Sequence, residues 1–123
     1  MAYVYIMLGA IAGAPLRYFV AGKVQDATTP TFPFGTLVVN VTACLAIGLL
    51  TALAEDRQLL NREARLLLIT GFLGAYSTFS TFGLETYNLI TLNDLWRAVL
   101  YAILSVVVGI IAVYIGTIVG RAV

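Results

Sequence analysis

The chain has 123 residues, of which 61% are hydrophobic and 11% are charged, and its mean hydropathy is +0.98. Soluble domains carry about 25% charged residues, so this composition excludes an ordinary soluble protein and indicates that lipid is the solvent. The net charge of +1 excludes the basic surface of a nucleic-acid-binding protein. No histidine is present, and no nucleophile–base pair can be assembled, so an enzyme is not expected.

Four apolar runs each approach the ~20 residues that cross a ~30 Å hydrocarbon core. They cover about residues 2–21, 34–54, 66–90 and 98–119. The first run has no basic segment before it and no convincing cleavage site after it, so we expect a retained helix rather than a signal peptide. The sequence therefore predicts a single all-α membrane domain, residues 1–123, with four transmembrane helices.

Basic residues are divided almost evenly between the two sides of this predicted bundle. Orientation in a membrane follows the excess of Lys and Arg in the cytoplasmic loops, and four residues against three is close to no excess. The chain could therefore insert in both directions, which would permit an antiparallel homodimer. The alternative is a single topology that the second loop sets weakly. The first side would hold Arg57, Arg62, Arg65 and Arg121, and the second Arg17, Lys23 and Arg97.

Two glycine pairs have the spacing that lets helix backbones approach closely in lipid. They are Gly9 with Gly13 and Gly116 with Gly120. Such G-x-x-x-G pairs form helix–helix contacts. The spacing leaves open whether the contact joins two subunits or packs helices within one.

The third run contains a polar segment in the middle of the predicted span. Ser77, Thr78, Ser80 and Thr81 lie within five positions and are flanked by glycines. Hydroxyl side chains compete for helical backbone bonds and glycine weakens a helix, so we predict a break near the middle of the membrane. Irregular backbone at that depth must be buried in protein or line water, and transport proteins hold ions at such breaks. A hydroxyl-lined packing interface is the alternative.

Two phenylalanines and an asparagine are candidates for an anion path. Phe79 and Phe82 are three positions apart, on nearly the same face of a helix, and the positive edges of their rings would suit a small anion. Asn40 lies mid-span, where a carboxamide is costly unless it is hydrogen-bonded. Its NH2 group could serve an anion, and Thr36 lies one turn earlier on the same face. Ordinary ring packing and an interhelical hydrogen bond are the respective alternatives.

The fourth run and two lone charges supply the remaining candidates. Tyr101 and Ser105 are four positions apart with Gly109 on the same stripe, which suggests a hydroxyl ladder for an anion; alternatively, Ser105 bonds its own backbone. Arg17 is the only base inside a run, and we expect it to reach the interface or pair with a carboxylate. It could also raise the anion concentration at a pore mouth. For Glu85 we expect a structural partner, such as a hydroxyl or backbone amide, rather than a proton-carrying role.

Three blocks of the sequence together resemble the Fluc fluoride channels, also called CrcB proteins. Their order and spacing and the four-span length are similar over most of the chain, and the third block is the specific one. The blocks are residues 9–18 (GAIAGAPLRY), 33–40 (PFGTLVVN) and 71–82 (GFLGAYSTFSTF).

The resemblance implies an antiparallel, dual-topology homodimer in the lipid of the cell inner (plasma) membrane, with a broken third helix in each subunit. It implies two pores that export fluoride passively and selectively. Phe79 and Phe82 match the pore phenylalanines, Asn40 matches the pore asparagine, and Tyr101 and Ser105 fall on the polar track. The fluoride path that we expect is thus formed by Phe79, Phe82, Asn40, Ser80, Thr81, Tyr101, Ser105 and Thr36.

The resemblance also implies a structural sodium ion at the centre of the dimer. The backbone carbonyls of Gly74 and Ser77 match its ligands, and Arg17 and Glu85 match recurrent charged positions. Ser77 stands where the family more often has threonine, which leaves a carbonyl ligand in place. Ala75 replaces a common glycine, and Gly109 replaces a track serine of some members, which puts the inner end of the track in doubt. The sodium ion belongs to the channel resemblance alone, and not to the exporter or scaffold alternatives.

The principal alternative is a small multidrug-type exporter, which also has four helices. Its proton-coupled exchange needs a carboxylate well inside the membrane; the first run has none, and Glu85 lies late in the third. A non-transporting membrane scaffold is a further alternative, and it would need no polar lining.

Overall fold

A computed structural model describes all residues, 1–123, as helices and short connections without any strand. Four helices are long and apolar enough to cross a membrane, which confirms the all-helical prediction. The first helix extends beyond the predicted end near residue 21, because the following polar residues are tolerated in a helix and the next proline after that point comes only at Pro30. The helices are α1 (Ala2–Asp26), α2 (Phe34–Glu55), the third span (Arg62–Thr91) and α6 (Leu95–Ala122). The third span contains the elements numbered α3 to α5.

The third span is not a uniform α-helix. It consists of α3 (Arg62–Arg65), a π-helical segment (Leu66–Leu73), α4 (Gly74–Tyr76) and α5 (Phe79–Thr91). Between α4 and α5 the backbone is extended, with ψ of 158° at Ser77 and φ of −151° at Thr78. The Thr78 hydroxyl then caps α5, because its oxygen accepts a hydrogen bond from the Thr81 N–H at 3.3 Å.

The first glycine pair packs α1 against the π-helical segment of the same chain. A Cβ atom built on Gly9 would overlap the backbone of Leu67 and Phe72, and one built on Gly13 would overlap the Phe72 carbonyl. Only glycine permits two helix backbones to lie this close. This pair therefore serves packing within one subunit.

The second glycine pair joins α6 to α2 in the same way. A Cβ atom on Gly116 would overlap the Leu45 carbonyl, and one on Gly120 would lie 2.7 Å from the Ala52 Cβ. Both glycine pairs thus pack helices of one chain together, which settles the alternative left open by their spacing.

Little of the chain is buried within one subunit. Only 20 of 123 residues are buried, and the exposed apolar side chains of all four long helices must face lipid or another subunit. The core residues form two small clusters on either side of the extended segment. One contains Phe32, Leu89, Ala98 and Tyr101, and the other Val39, Ala43, Leu73 and Tyr76.

The turn into α6 is stabilised by a charged pair outside the apolar part of the bundle. Asp94 is the N-cap of α6, and its carboxylate accepts hydrogen bonds from the Arg97 N–H at 3.4 Å and the Arg97 guanidinium at 2.5 Å. The side-chain bond with Arg97 lowers the pKa of Asp94 below its ordinary value.

Candidate functional site

Asn40 and Thr78 form a two-way hydrogen-bonded pair at the extended segment. The Asn40 Nδ2 donates to the Thr78 carbonyl at 2.9 Å, and the Thr78 N–H donates to the Asn40 Oδ1 at 2.9 Å. The carboxamide of α2 therefore supplies both partners that the Thr78 backbone loses by leaving the helix. A carboxamide has two N–H hydrogens, and the Thr78 carbonyl takes one of them. The interhelical bond considered for Asn40 is present, and a donor for an ion remains.

The two phenylalanine rings lie next to each other at the start of α5. Their centroids are 5.6 Å apart with 44° between the ring planes. Phe82 is half-buried, and its ring lies 5.1 Å from that of Tyr101. Phe79 is 83% exposed, so its ring projects from the subunit. One subunit alone does not enclose this pair.

Two hydroxyl side chains, one from α2 and one from α6, meet at Glu85. The Thr36 Oγ1 donates to one carboxylate oxygen at 2.7 Å, and the Tyr101 hydroxyl donates to the other at 2.7 Å. An ionised carboxylate is a pure acceptor, so two hydroxyl donors satisfy Glu85 without a basic partner. Glu85 has the hydroxyl partners that we expected, but their identity, Thr36 and Tyr101, was not foreseen.

A cavity of about 720 Å³ between α1, α2 and the third span reaches this polar cluster. Its floor includes Glu85, Thr36 and the extended segment, and two basic side chains line its walls. Two carboxylates, those of Asp26 and Glu85, also line the cavity, so its lining carries no net formal charge. The charged and hydroxyl-bearing residues that line it are Arg17, Lys23, Asp26, Glu85, Tyr18, Thr36, Thr78 and Thr81.

Arg17 also contacts the extended segment. Its guanidinium donates to the Ser77 carbonyl at 3.5 Å, which is a long hydrogen bond. No carboxylate forms an ion pair with Arg17 in the structure. Of the roles considered for Arg17, pairing with a carboxylate is absent, and its side chain lines the cavity.

The hydroxyls after Ser77 have different surroundings. The Thr78 hydroxyl donates to the Thr81 Oγ1 at 3.0 Å, and Ser80 is exposed with its oxygen 3.5 Å from that of Thr78. These three hydroxyls therefore form a local group at the N-terminus of α5. Ser80 and Phe79 project outward, whereas Thr81 lines the cavity.

The polar line along α6 does not continue past Ser105. The Ser105 hydroxyl oxygen is buried and has no hydrogen-bond partner, so the alternative considered for it, a bond to its own backbone, is absent. Gly109 is buried against α2, where an added Cβ would lie 3.4 Å from the Cys44 sulfur. A serine at 109 would meet α2 rather than an open track.

The carbonyls of Gly74 and Ser77 suit a hard cation in their chemistry. Since Thr78 N–H donates to Asn40, the Gly74 carbonyl has lost the amide that would follow it in a helix. Carbonyls at a helix C-terminus carry partial negative charge, and hard cations prefer oxygen ligands. Gly74 is exposed, whereas the Ser77 carbonyl also accepts the long hydrogen bond from the Arg17 guanidinium, so the donor type fits a sodium ion at both residues but only the Gly74 carbonyl is free of a protein partner.

Comparisons with known proteins agree on one family. The family described as "CrcB-like protein, Camphor Resistance (CrcB)" matches residues 4–117. The chain is 46% identical to a protein of Trichormus variabilis named "Fluoride-specific ion channel FluC", with 94% of this chain and 85% of that protein covered. Proteins of the same name from Chloroflexus aurantiacus and Acidobacterium capsulatum are 43% and 40% identical, covering 92% and 97% of their own lengths and 94% and 98% of this chain.

Proposed function

Because the chain belongs to the CrcB family, whose members are ion channels and not enzymes, we propose that it is a fluoride-selective channel that exports fluoride passively. It is a multi-pass membrane protein, and in bacteria the membrane concerned is the plasma membrane. Fluoride is the ion in the names of its relatives, and the following contacts support its transfer to this chain.

The observation that carries the proposal is the extended segment at the floor of the cavity. An anion that passes Lys23 and Arg17 reaches the neutral hydroxyl side chains of Thr78 and Thr81. Asn40 is bonded to the Thr78 backbone beside them, and the Arg17 guanidinium lies at the same depth, 3.5 Å from the Ser77 carbonyl. Fluoride is small and strongly hydrated, so it needs close replacement donors as it loses water. Neutral donors supply these without the strong binding that would stop conduction.

Beyond the cavity, the fluoride path continues along the edges of Phe79 and Phe82 and the hydroxyls of the third span and α6. The Ser105 hydroxyl supports this route, because a buried polar group without a partner costs free energy unless an ion or water engages it. The Glu85 cluster flanks the route: its carboxylate is already satisfied by the Thr36 and Tyr101 hydroxyls. The expected lining is Asn40, Thr36, Phe79, Phe82, Ser80, Thr81, Tyr101 and Ser105.

The working unit in this proposal is an antiparallel homodimer with two pores. Gly74, Phe79 and Ser80 are exposed next to the extended backbone, and polar backbone cannot face lipid at membrane depth. A second copy would cover this surface. The nearly equal division of basic residues between the two sides favours insertion in both directions. A sodium ion between the Gly74 and Ser77 carbonyls of both copies would complete the centre.

The test is fluoride efflux from liposomes that contain the purified protein and potassium fluoride. With valinomycin to carry potassium, an external fluoride electrode should record rapid efflux that needs no proton gradient, whereas chloride-loaded vesicles should lose chloride slowly. No fluoride efflux above that of empty vesicles would overturn the proposal. Exchange of cationic drugs driven by a pH gradient would favour the exporter instead.

The dimer is tested separately in the same preparation. Cross-linking between single cysteines on opposite loops would show whether two copies lie antiparallel, and sodium removal should slow fluoride efflux if the ion holds the dimer centre. A parallel cross-linking pattern would overturn the antiparallel arrangement without affecting the proposal of fluoride conduction.

A further inference from the structure

One side chain, that of Gln25, forms hydrogen bonds across the connection between α1 and α2, residues 27–33. The Gln25 Nε2 donates to the Thr29 carbonyl at 2.9 Å and the Phe32 carbonyl at 3.0 Å. The Gly35 N–H donates to the Gln25 Oε1 at 3.1 Å, which satisfies a free amide at the start of α2. A single carboxamide thereby joins the end of α1, the connection and the beginning of α2.

One residue of this connection, Phe32, packs its ring beside the cluster formed by Glu85, Thr36 and Tyr101. Phe32 is 6% exposed, and its ring contacts the Tyr101 ring edge-on with centroids 5.6 Å apart. Tyr101 is fully buried between the rings of Phe32 and Phe82 and donates its hydroxyl to Glu85. The position of Phe32 therefore limits where the Tyr101 ring and hydroxyl can lie.

Open space borders the connection on one side, where Pro30, Thr31 and Pro33 form part of the lining of a second cavity of about 510 Å³. Gln25 and Glu85 line both this cavity and the one of about 720 Å³. The remaining side-chain hydrogen bonds of the connection are local, from Thr28 to the end of α1 and between Thr29 and Thr31. The Gln25 hydrogen bonds and the buried Phe32 ring are therefore the contacts that join the connection to the rest of the subunit.

We propose that Gln25 and Phe32 are positioning residues of the ion path: Gln25 fixes the 27–33 connection, and Phe32 holds Tyr101 against Glu85 and Phe82. Neither residue needs to touch the ion. The proposal rests on the proposed fluoride conduction, because the Tyr101 hydroxyl and the Phe82 ring are the groups that it positions.

The first test compares fluoride efflux from liposomes for Phe32→Leu, Gln25→Met and a matched control. Phe72→Leu is the control because Phe72 is likewise paired with a tyrosine ring, at 5.9 Å, but belongs to the other core cluster; Phe72 is half-buried, whereas Phe32 is buried. Small displacements of positioned groups cost one to two orders of magnitude in rate. We expect efflux about tenfold slower for Phe32→Leu and Gln25→Met, with Phe72→Leu within about twofold of the unmodified protein.

A double-mutant cycle separates positioning from general destabilisation. If Phe32 acts through the Tyr101 hydroxyl, Phe32→Leu should reduce efflux little further in a Tyr101→Phe background. Losses that multiply, or equal losses for Phe32→Leu and Phe72→Leu, would overturn the proposal. Gln25→Met leaves the aromatic cluster intact, so it keeps the test decisive if Phe32→Leu does not fold.

Thermal unfolding of the four proteins of this cycle, which are the unmodified protein, Phe32→Leu, Tyr101→Phe and the double variant, distinguishes this proposal from the proposed function. Coupling between Phe32 and Tyr101 in the unfolding midpoint measures their contact without any ion flux. If the unmodified protein conducts no fluoride, the proposed function fails, whereas the coupling still reports whether Phe32 holds Tyr101. Conduction by the unmodified protein with no coupling and no loss in Phe32→Leu would overturn only the positioning role.

Discussion

Replacement of Asn40 tests the most specific contact in the candidate site. Asn40→Leu replaces the carboxamide with an apolar side chain of similar size and leaves both the Thr78 N–H and the Thr78 carbonyl without that partner. Each unsatisfied buried group costs about 1–3 kcal/mol, so the free energy of unfolding should fall by about 2–6 kcal/mol. Asn40→Asp keeps an acceptor for the Thr78 N–H and loses the donor, at about 1–3 kcal/mol, and an ionised carboxylate at this depth adds about 2.5–3.5 kcal/mol.

The two variants separate the structural role of Asn40 from its role as an ion donor. If Asn40 only supports Thr78, fluoride efflux should follow stability, and the fraction of each variant that folds should conduct as the unmodified protein does. If its second N–H also meets the ion, Asn40→Asp should lose efflux severely although it folds, because a carboxylate repels fluoride. We expect the second result, with efflux measured by fluoride electrode and stability by chemical unfolding in detergent. Unchanged efflux in a folded Asn40→Asp dimer would refute the pore assignment.

Three further results are expected. Phe79→Ile should cut fluoride efflux severely in liposomes while size-exclusion chromatography still shows the assembly of the unmodified protein, because Phe79 is exposed and packs little within its own subunit; undiminished efflux would exclude its ring from the path. Gly9→Ala should lower the free energy of unfolding by about 1–3 kcal/mol, since its Cβ would overlap the third span, whereas Gly22→Ala, which meets nothing within 4 Å, should not. The lowered pKa of Asp94 stabilises the folded state at pH values above the ordinary carboxyl pKa, and this contribution disappears as the pH falls through the lowered value. Asp94→Asn should therefore lower the thermal midpoint at neutral pH, and the difference from the unmodified protein should vanish in acid; a difference independent of pH would contradict the role of the bond with Arg97.

Hydropathy was sufficient to find the four helices, because a membrane span must hide its backbone and its apolar side chains at the same time. It was less informative about helix ends. Polar residues such as Lys23 and Gln25 end an apolar run but not a helix, so α1 continues to Asp26.

The contacts of the site depend on how helices dock, which one sequence does not reveal. Thr36 and Glu85 are 49 positions apart, and Asn40 and Thr78 are 38 positions apart. Each residue could be recognised as a polar group that needs a partner in the membrane, but the identity of the partner follows only from the packing of α2 on the third span. The spacing of Gly9 and Gly13 was equally unable to show which backbone they approach.

Gln25 carried no signal at all in the sequence. It lies beyond the apolar part of α1, where a glutamine is ordinary, and its importance arises from three backbone groups of a turn that it happens to reach. A scan of the connection for backbone amides and carbonyls that lack helical partners could have pointed to such a side chain.

The π-helical stretch has a consequence for how this chain can vary. A π-helix accommodates an additional residue relative to an α-helix of the same length, so the span between Leu66 and Leu73 contains slack in its winding. Removal of one residue there would let the stretch rewind as an α-helix while the chain on either side keeps its orientation. Removal of one residue from a regular α-helix such as α6 would instead turn everything beyond it by about 100°. A single-residue deletion is consequently expected to be better tolerated between Leu66 and Leu73 than within α6.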